Sequence, residues 1–182
     1  MKNAYSIDRL DVRALARAGD VFEGEVSLSQ CERLLSEMAG ASETLPLIHW
    51  RAQGEWRERT GGAGQCWLHV TARLELPLVC QRCLGPVTVP LEFDRSFRFV
   101  ADEATAERED EEAEEDLLVI SPQFNLLELI EDELLMDLPL VPRHEPDCPV
   151  EIPLSAQDAD FDAATAQRPN PFASLAQLKR KH

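Results

Sequence analysis

The sequence contains no run of about eighteen apolar residues, so no membrane-spanning helix is expected. Its first residues, MKNAYSIDRLDVRA, lack the apolar stretch of a signal peptide, so the protein is expected to be cytoplasmic. A Gly-rich phosphate loop, a Ser nucleophile elbow and an H-E-x-x-H motif are also missing. These absences exclude the enzyme classes that depend on those motifs.

Cysteine is scarce, with five residues in a chain of 182, and the number is odd. A small disulfide-bonded scaffold would contain an even and denser set. The cysteines are therefore expected to be thiols, some of which could form a metal site.

Positive charge is also scarce, and the formal net charge is −16. Such a chain repels phosphate at long range, so indiscriminate binding of nucleic acid is not expected, whereas basic partners are attracted. Residues 102–116 contain ten acids and one Arg. This block is predicted to be a flexible acidic loop because like charges repel each other, and an alternative is a tether for a basic ribosomal or RNA-associated protein.

Hydrophobic periodicity predicts an α+β fold for a single domain over residues 1–148. Apolar and polar residues alternate in three long segments, which predicts an antiparallel β-meander or a partly open barrel packed with a few helices. The predicted long strands cover 45–58, 65–79 and 87–100, shorter strands cover 5–10, 21–26 and 117–120, and helices cover 11–18 and 29–38.

One further helix is predicted to start after Asn125, which with Glu128 matches a capping pair. Apolar residues recur at helical spacing up to residue 138, and prolines then stop the helix. Its consecutive acids, Glu131, Asp132 and Glu133, are predicted to form a solvated face. The alternatives are a patch that faces a partner and, less favoured, acid–base chemistry.

The last segment, residues 149–182, is predicted to be an extended C-terminal tail because it is polar and has few apolar anchors. A short helix is predicted over 171–181. Phe172, Leu175 and Leu178 would lie on one face of that helix, which is typical of a docking motif.

The Cys80-x2-Cys83 and His144-x3-Cys148 pairs make a Cys3His set, which suits a structural zinc ion. The gap of about sixty residues between the pairs is long for a compact zinc motif. Two alternatives therefore stay open, namely a thioredoxin-like redox pair and simple core thiols with an exposed His144.

Three sequence blocks occur in order: CQRCLGPV at 80–87, LLELIEDELLMDLPLVPRHEPDC at 126–148 and NPFASLAQLKRK at 170–181. With them the chain resembles the bacterial YceD family, the large ribosomal RNA subunit accumulation proteins. The resemblance implies a cytoplasmic, non-enzymatic factor needed for synthesis, processing or stability of large-subunit ribosomal RNA. The residues that match the family's recurring positions are Cys80, Cys83, His144 and Cys148, the helix residues Asp132, Glu133 and Leu134, and Pro171, Phe172 and Leu175 in the tail.

The residues favour action through protein partners, in which acidic surfaces attract a basic ribosomal protein or a processing factor. Direct RNA contact would depend on residues 179–181 and scattered arginines, and would have to overcome the acid excess. An alternative is a metal-dependent or thiol RNA-processing enzyme. That alternative requires an open metal position or a reactive thiol.

Overall fold

A computed structural model describes residues 5–40, 44–59, 61–62 and 64–150. The elements in chain order are α1 (Val12–Ala18), β1 (Val21–Ser27), a 3₁₀ turn (Leu28–Gln30), α2 (Glu32–Glu37), β2 (Leu47–Arg57), β3 (Gln65–Val79), β4 (Pro86–Val100), α3 (Glu103–Glu109), β5 (Asp116–Val119) and α4 (Leu126–Met136). Among the described residues, no helix is long and apolar enough to cross a bilayer.

The five strands form one sheet in the order β1-β2-β3-β4-β5. The first four strands pair antiparallel, as the predicted meander requires. The last strand pairs parallel with β4, and Phe97 lies opposite Asp116. The sheet is therefore mixed and is not closed into a barrel. The predicted α+β class is confirmed.

One face of the sheet packs against helices, as the alternating burial of successive residues in β3 shows. Every second residue of β3 from Cys66 to Leu78 is buried, and the residues between them are more exposed. The helix α4 contributes the fully buried Leu126, Ile130 and Leu134 to the same core. The apolar face of a strand and the apolar stripe of a helix thus bury each other.

Local capping fixes where two helices begin. The Asp11 side chain accepts a hydrogen bond from the Ala14 N–H at the start of α1, and Gly19 ends that helix with a left-handed φ of 64°. The Asn125 side chain likewise accepts from the Glu128 N–H at the start of α4. Both predicted helix starts are confirmed, because a short polar side chain satisfies an N–H that has no partner within the helix.

Two predicted elements near the N-terminus differ in the structure. The strand predicted over 5–10 is wrong, because only Leu10 forms a bridge, to Phe124. The helix predicted over 29–38 is divided into the 3₁₀ turn and α2, with Cys31 at the junction.

The acidic block at 102–116 also differs from the predicted loop, because it contains α3. The Asp102 side chain caps this helix by accepting from the Thr105 N–H. The buried Arg98 on β4 binds the carboxylates of Glu109, at 2.7 Å, and Glu115. These ion pairs offset the repulsion among the acids, and α3 supplies the crossover that a parallel strand needs. The predicted tail, residues 149–182, lies almost wholly outside the described residues and stays a prediction.

Candidate metal centre

The turn between β3 and β4 holds the first two cysteines of the predicted site. The Cys80 N–H donates to the Gly85 carbonyl at 2.8 Å, and the Leu84 N–H donates to the Cys80 carbonyl at 2.8 Å. Leu84 has a φ of 59°, an uncommon conformation for a residue with a side chain. The turn is therefore tightly wound, and Cys80 and Cys83 lie at its two ends.

The chain that leaves α4 holds the second pair of candidate ligands. Pro142 in this segment accepts a hydrogen bond from the Gln81 N–H at 2.8 Å. The guanidinium of Arg82 lies 3.2 Å from the Asp147 carboxylate, which gives a second link between the two segments. These contacts place His144 and Cys148 beside the turn.

The structure brings all four predicted ligands together. Their ligand atoms lie within 4.8 Å of one another. The Cys80 and Cys148 sulfurs are 3.8 Å apart, and the Cys83 sulfur lies 3.6 Å from Nδ1 of His144. A tetrahedral zinc ion with ordinary bond lengths would separate two sulfurs by about 3.8 Å, and a sulfur and a nitrogen by about 3.6 Å. The arrangement therefore has the size and the donor chemistry of a zinc site.

The orientation of His144 also suits a metal ligand. Its Nε2 lies 3.1 Å from the Pro86 carbonyl oxygen, which can only accept a hydrogen bond. The proton then belongs on Nε2, and the lone pair of Nδ1 faces the cysteines. Such a second bond typically fixes the ring of a metal-binding histidine.

The electrostatics of the turn favour one thiolate. Burial opposes ionisation of Cys80, but backbone N–H groups of Cys83 and Arg82 donate to its sulfur and its pKa falls to about 5. Burial, together with the neighbouring Cys80 and Cys83, raises the pKa of Cys148 to about 11. Two cysteines lie outside this cluster, Cys31 and Cys66, and burial is the main cause that raises the pKa of each to about 11.

Four side-chain donors would close a tetrahedral site and leave no position for a catalytic water. The alternative of a thioredoxin-like pair is not supported, because a turn and β4 follow Cys80 and Cys83 where that motif requires a helix. The alternative of unrelated core thiols does not account for the proximity of His144 to Cys83.

The acids of α4 are placed differently from the prediction. A solvated face is wrong for Glu131 and Glu133, which are 8% and 6% exposed. Glu131 binds Arg33, and Glu133 binds Arg95 at 3.0 Å. Each acid is buried because an arginine from another element reaches it, which helical periodicity alone does not reveal.

Asp132 is half exposed and contacts Arg33 at 2.5 Å. The predicted role of Asp132 and Glu133 in partner binding stays a prediction, although the Glu133 carboxylate is already bound within the fold. Three more predicted partner-binding residues, Pro171, Phe172 and Leu175, lie outside the described residues.

Comparison with known proteins identifies a family. Residues 68–179 match the family model described as "Large ribosomal RNA subunit accumulation protein YceD". A curated protein of that name from Haemophilus influenzae is 36% identical over 113 residues, which cover 60% of this chain and 63% of the relative. The chain thus spans less than two thirds of the length of that relative. No solved structure matches the chain.

Proposed function

The chain belongs to the YceD family of large ribosomal RNA subunit accumulation proteins, and from this premise we propose that it is a cytoplasmic factor for the accumulation of large-subunit ribosomal RNA. The proposal covers synthesis, processing or stability of that RNA. The family match over residues 68–179 is the observation that carries it.

The proposed factor is not an enzyme. The cluster of thiols and imidazole offers four donors at tetrahedral spacing, and such a closed site binds metal for structure rather than for catalysis. The alternative, a metal-dependent or thiol RNA-processing enzyme, would cleave precursor RNA when the purified protein is incubated with it. Specific cleavage that is lost on substitution of Cys80 would refute the non-enzymatic proposal.

The proposed partners are basic ribosomal or RNA-processing proteins. A net charge of −16 attracts such partners at long range and keeps bulk RNA away. The alternative of an acidic adaptor for one basic ribosomal protein belongs to the same mechanism.

The partner proposal can be tested by affinity capture from cell extract with and without RNase. Protein partners should persist after RNase treatment, and a chain truncated before Asn170 should capture fewer of them if the tail docks. Loss of all partners after RNase treatment would contradict a protein-mediated mechanism.

The ribosomal proposal is tested in cells by deleting the gene and measuring the ratio of large-subunit to small-subunit ribosomal RNA. The ratio should fall and should recover when the intact chain is supplied. An unchanged ratio under slow and fast growth would refute this role.

Zinc is the metal proposed for Cys80, Cys83, His144 and Cys148. It would fasten the β3–β4 turn to the segment that follows α4, so that its binding free energy adds to folding. Protein purified without chelator should contain about one zinc ion per chain.

A matched pair of variants makes the zinc test specific. Cys83→Ser should lose the metal, whereas Cys66→Ser, which changes a buried cysteine outside the cluster, should retain it. Chelator should lower the unfolding temperature of the wild type and leave that of Cys83→Ser unchanged. Metal-free wild-type protein, or metal loss in both variants, would refute the zinc site.

A further inference from the structure

A cleft of about 720 Å³ is lined by residues of α1, the end of β2, the start of β3, the end of β4 and α3. Its lining includes Arg13 and Arg17 from α1 and Arg59 from the segment that follows β2. All three arginines are exposed. In a chain with a net charge of −16, a cleft with this many cations is a local exception.

The three cleft arginines, Arg13, Arg17 and Arg59, differ from most other arginines of the fold. Within the described residues, none of them lies within 4 Å of a carboxylate oxygen, whereas Arg33, Arg95 and Arg98 each bind two carboxylates. The charge of the cleft arginines is therefore available to a ligand.

The aromatic ring of Trp56 holds one of these cations in place. The Arg17 guanidinium carbon lies 5.0 Å from the ring centroid, a cation–π distance. The ring itself is fixed, because its Nε1 donates to Glu58 at 3.2 Å and Gly64 packs against it so closely that a Cβ there would lie 2.4 Å from Nε1. The Arg17 guanidinium thus faces the cleft with less conformational freedom than an ordinary surface arginine.

Carboxylates from two parts of the chain lie near the cleft. The exposed Glu58 accepts the hydrogen bond from Nε1 of Trp56, which lines the cleft. Glu109 also lines the cleft, but its carboxylate is bound by Arg98. Beyond Arg59 a neighbouring hollow is lined by Glu112 and Glu114 of the acidic block, both of them exposed. These two carboxylates repel an anion in the cleft and so limit its affinity.

From this placement we propose that the cleft binds the phosphate groups of an RNA backbone. Guanidinium groups match phosphate oxygens in pairs, and three of them can contact successive phosphates of one strand. Elsewhere in the described part of the chain, the excess of acidic residues would disfavour RNA binding. The choice of RNA among phosphate ligands rests on the proposed function, whereas the anion site rests on the geometry alone.

The test measures fluorescence anisotropy of a labelled single-stranded RNA of about 20 nucleotides with the full chain. A dissociation constant on the order of 10 µM is expected at low salt. Three phosphate contacts predict a slope of about −2 in the plot of log affinity against log salt, and hence about 16-fold weaker binding at fourfold higher salt.

Two triple variants with the same charge change separate the cleft from general electrostatics. The cleft variant carries Arg13→Ala, Arg17→Ala and Arg59→Ala, and the control variant carries Arg51→Ala, Arg73→Ala and Arg143→Ala. The control residues are exposed arginines that do not line the cleft. The cleft variant should bind at least about tenfold more weakly with a salt slope near zero, and the control should stay within about twofold of wild type.

A third variant keeps the proposal testable if the cleft variant fails to fold. Replacing Glu112 and Glu114 with Gln removes two exposed charges beside Arg59 and should tighten RNA binding at least about twofold. The proposal would be overturned if both arginine variants lost RNA affinity equally or if the glutamine variant did not bind RNA more tightly. It would also be overturned if the wild type did not bind RNA at low salt.

Competition identifies the class of ligand. Inorganic phosphate should displace RNA only at millimolar concentration, and polyglutamate should compete poorly at matched charge. Stronger binding of polyglutamate than of RNA would overturn the RNA assignment in favour of an acidic protein partner. An unchanged ribosomal RNA ratio after gene deletion, together with cleft-dependent RNA binding, would refute the proposed function while leaving the anion site intact.

Discussion

Replacing Glu131 with Ala should destabilise the fold strongly, because this carboxylate caps a helix from a distance. Cys31 precedes α2 but offers no side-chain hydrogen bond to its first turn. Oε1 of Glu131 accepts instead from the backbone N–H groups of Arg33, at 2.8 Å, and Leu34, at 3.1 Å. Oε2 accepts from the Arg33 guanidinium at 3.0 Å.

The expected magnitude follows from these contacts. Removing the carboxylate leaves two N–H groups of the helix without a partner, and the Leu34 N–H is buried. A lost cap costs about 1 kcal/mol, and a buried N–H left without an acceptor costs about 1–3 kcal/mol. The half-exposed Arg33 can be solvated by water, so Glu131→Ala should lower the free energy of unfolding by about 3 kcal/mol, which corresponds to roughly 6–12 °C in the unfolding temperature.

Two comparison variants isolate the cap. Glu131→Gln keeps an acceptor oxygen for the N–H groups and should cost about 2 kcal/mol. Asp132→Ala removes the half-exposed neighbour that contacts the same arginine, and should cost less than about 1 kcal/mol. The measurement is equilibrium unfolding in urea followed by circular dichroism. If Glu131→Ala and Asp132→Ala have equal free energies of unfolding, the capping argument is wrong.

Two further predictions concern packing and pH. Gly54→Ala should destabilise the fold by several kcal/mol, because the added Cβ would lie 2.5 Å from the backbone nitrogen of Ala16 in α1. The control is Gly62→Ala, whose Cβ would meet only a flexible side chain at 3.6 Å. Thermal unfolding of both variants measures the difference. Burial raises the pKa of Glu133 above its ordinary 4.5, despite the attraction of Arg95. The folded state therefore binds this proton more tightly than the unfolded chain does. The stability that this proton contributes is lost as pH rises through the raised pKa. Glu133→Gln should flatten the fall in unfolding free energy above pH 4.5, and an unchanged slope would contradict this account.

Local pattern was enough to predict the elements whose signals lie within a few residues. The period-2 alternation gave the full extent of Gln65–Val79, and the cap residues Asp11 and Asn125 marked the starts of α1 and α4. These signals depend on backbone geometry and on which face is apolar, and both are encoded locally. The four candidate metal ligands were also readable from the sequence, because Cys and His residues at these short spacings are few.

Only the tertiary structure decided which distant residues meet. Cys80 and Cys148 are 68 positions apart, and their 3.8 Å separation depends on where α4 ends relative to the sheet. The parallel direction of β5 depends on its pairing with β4, and the burial of Glu131 depends on its contact with Arg33 of α2. Neither partner can be identified from the periodicity of a strand or a helix.

The cleft arginines are the clearest example of this limit. Arg13, Arg17 and Arg59 look like scattered charges in the sequence, and they share one cleft only because α1 packs across β2. The sequence by itself thus determined the elements and the chemistry they carry. The tertiary structure decided which of those groups face one another, since that depends on how buried surfaces far apart in the chain fit together.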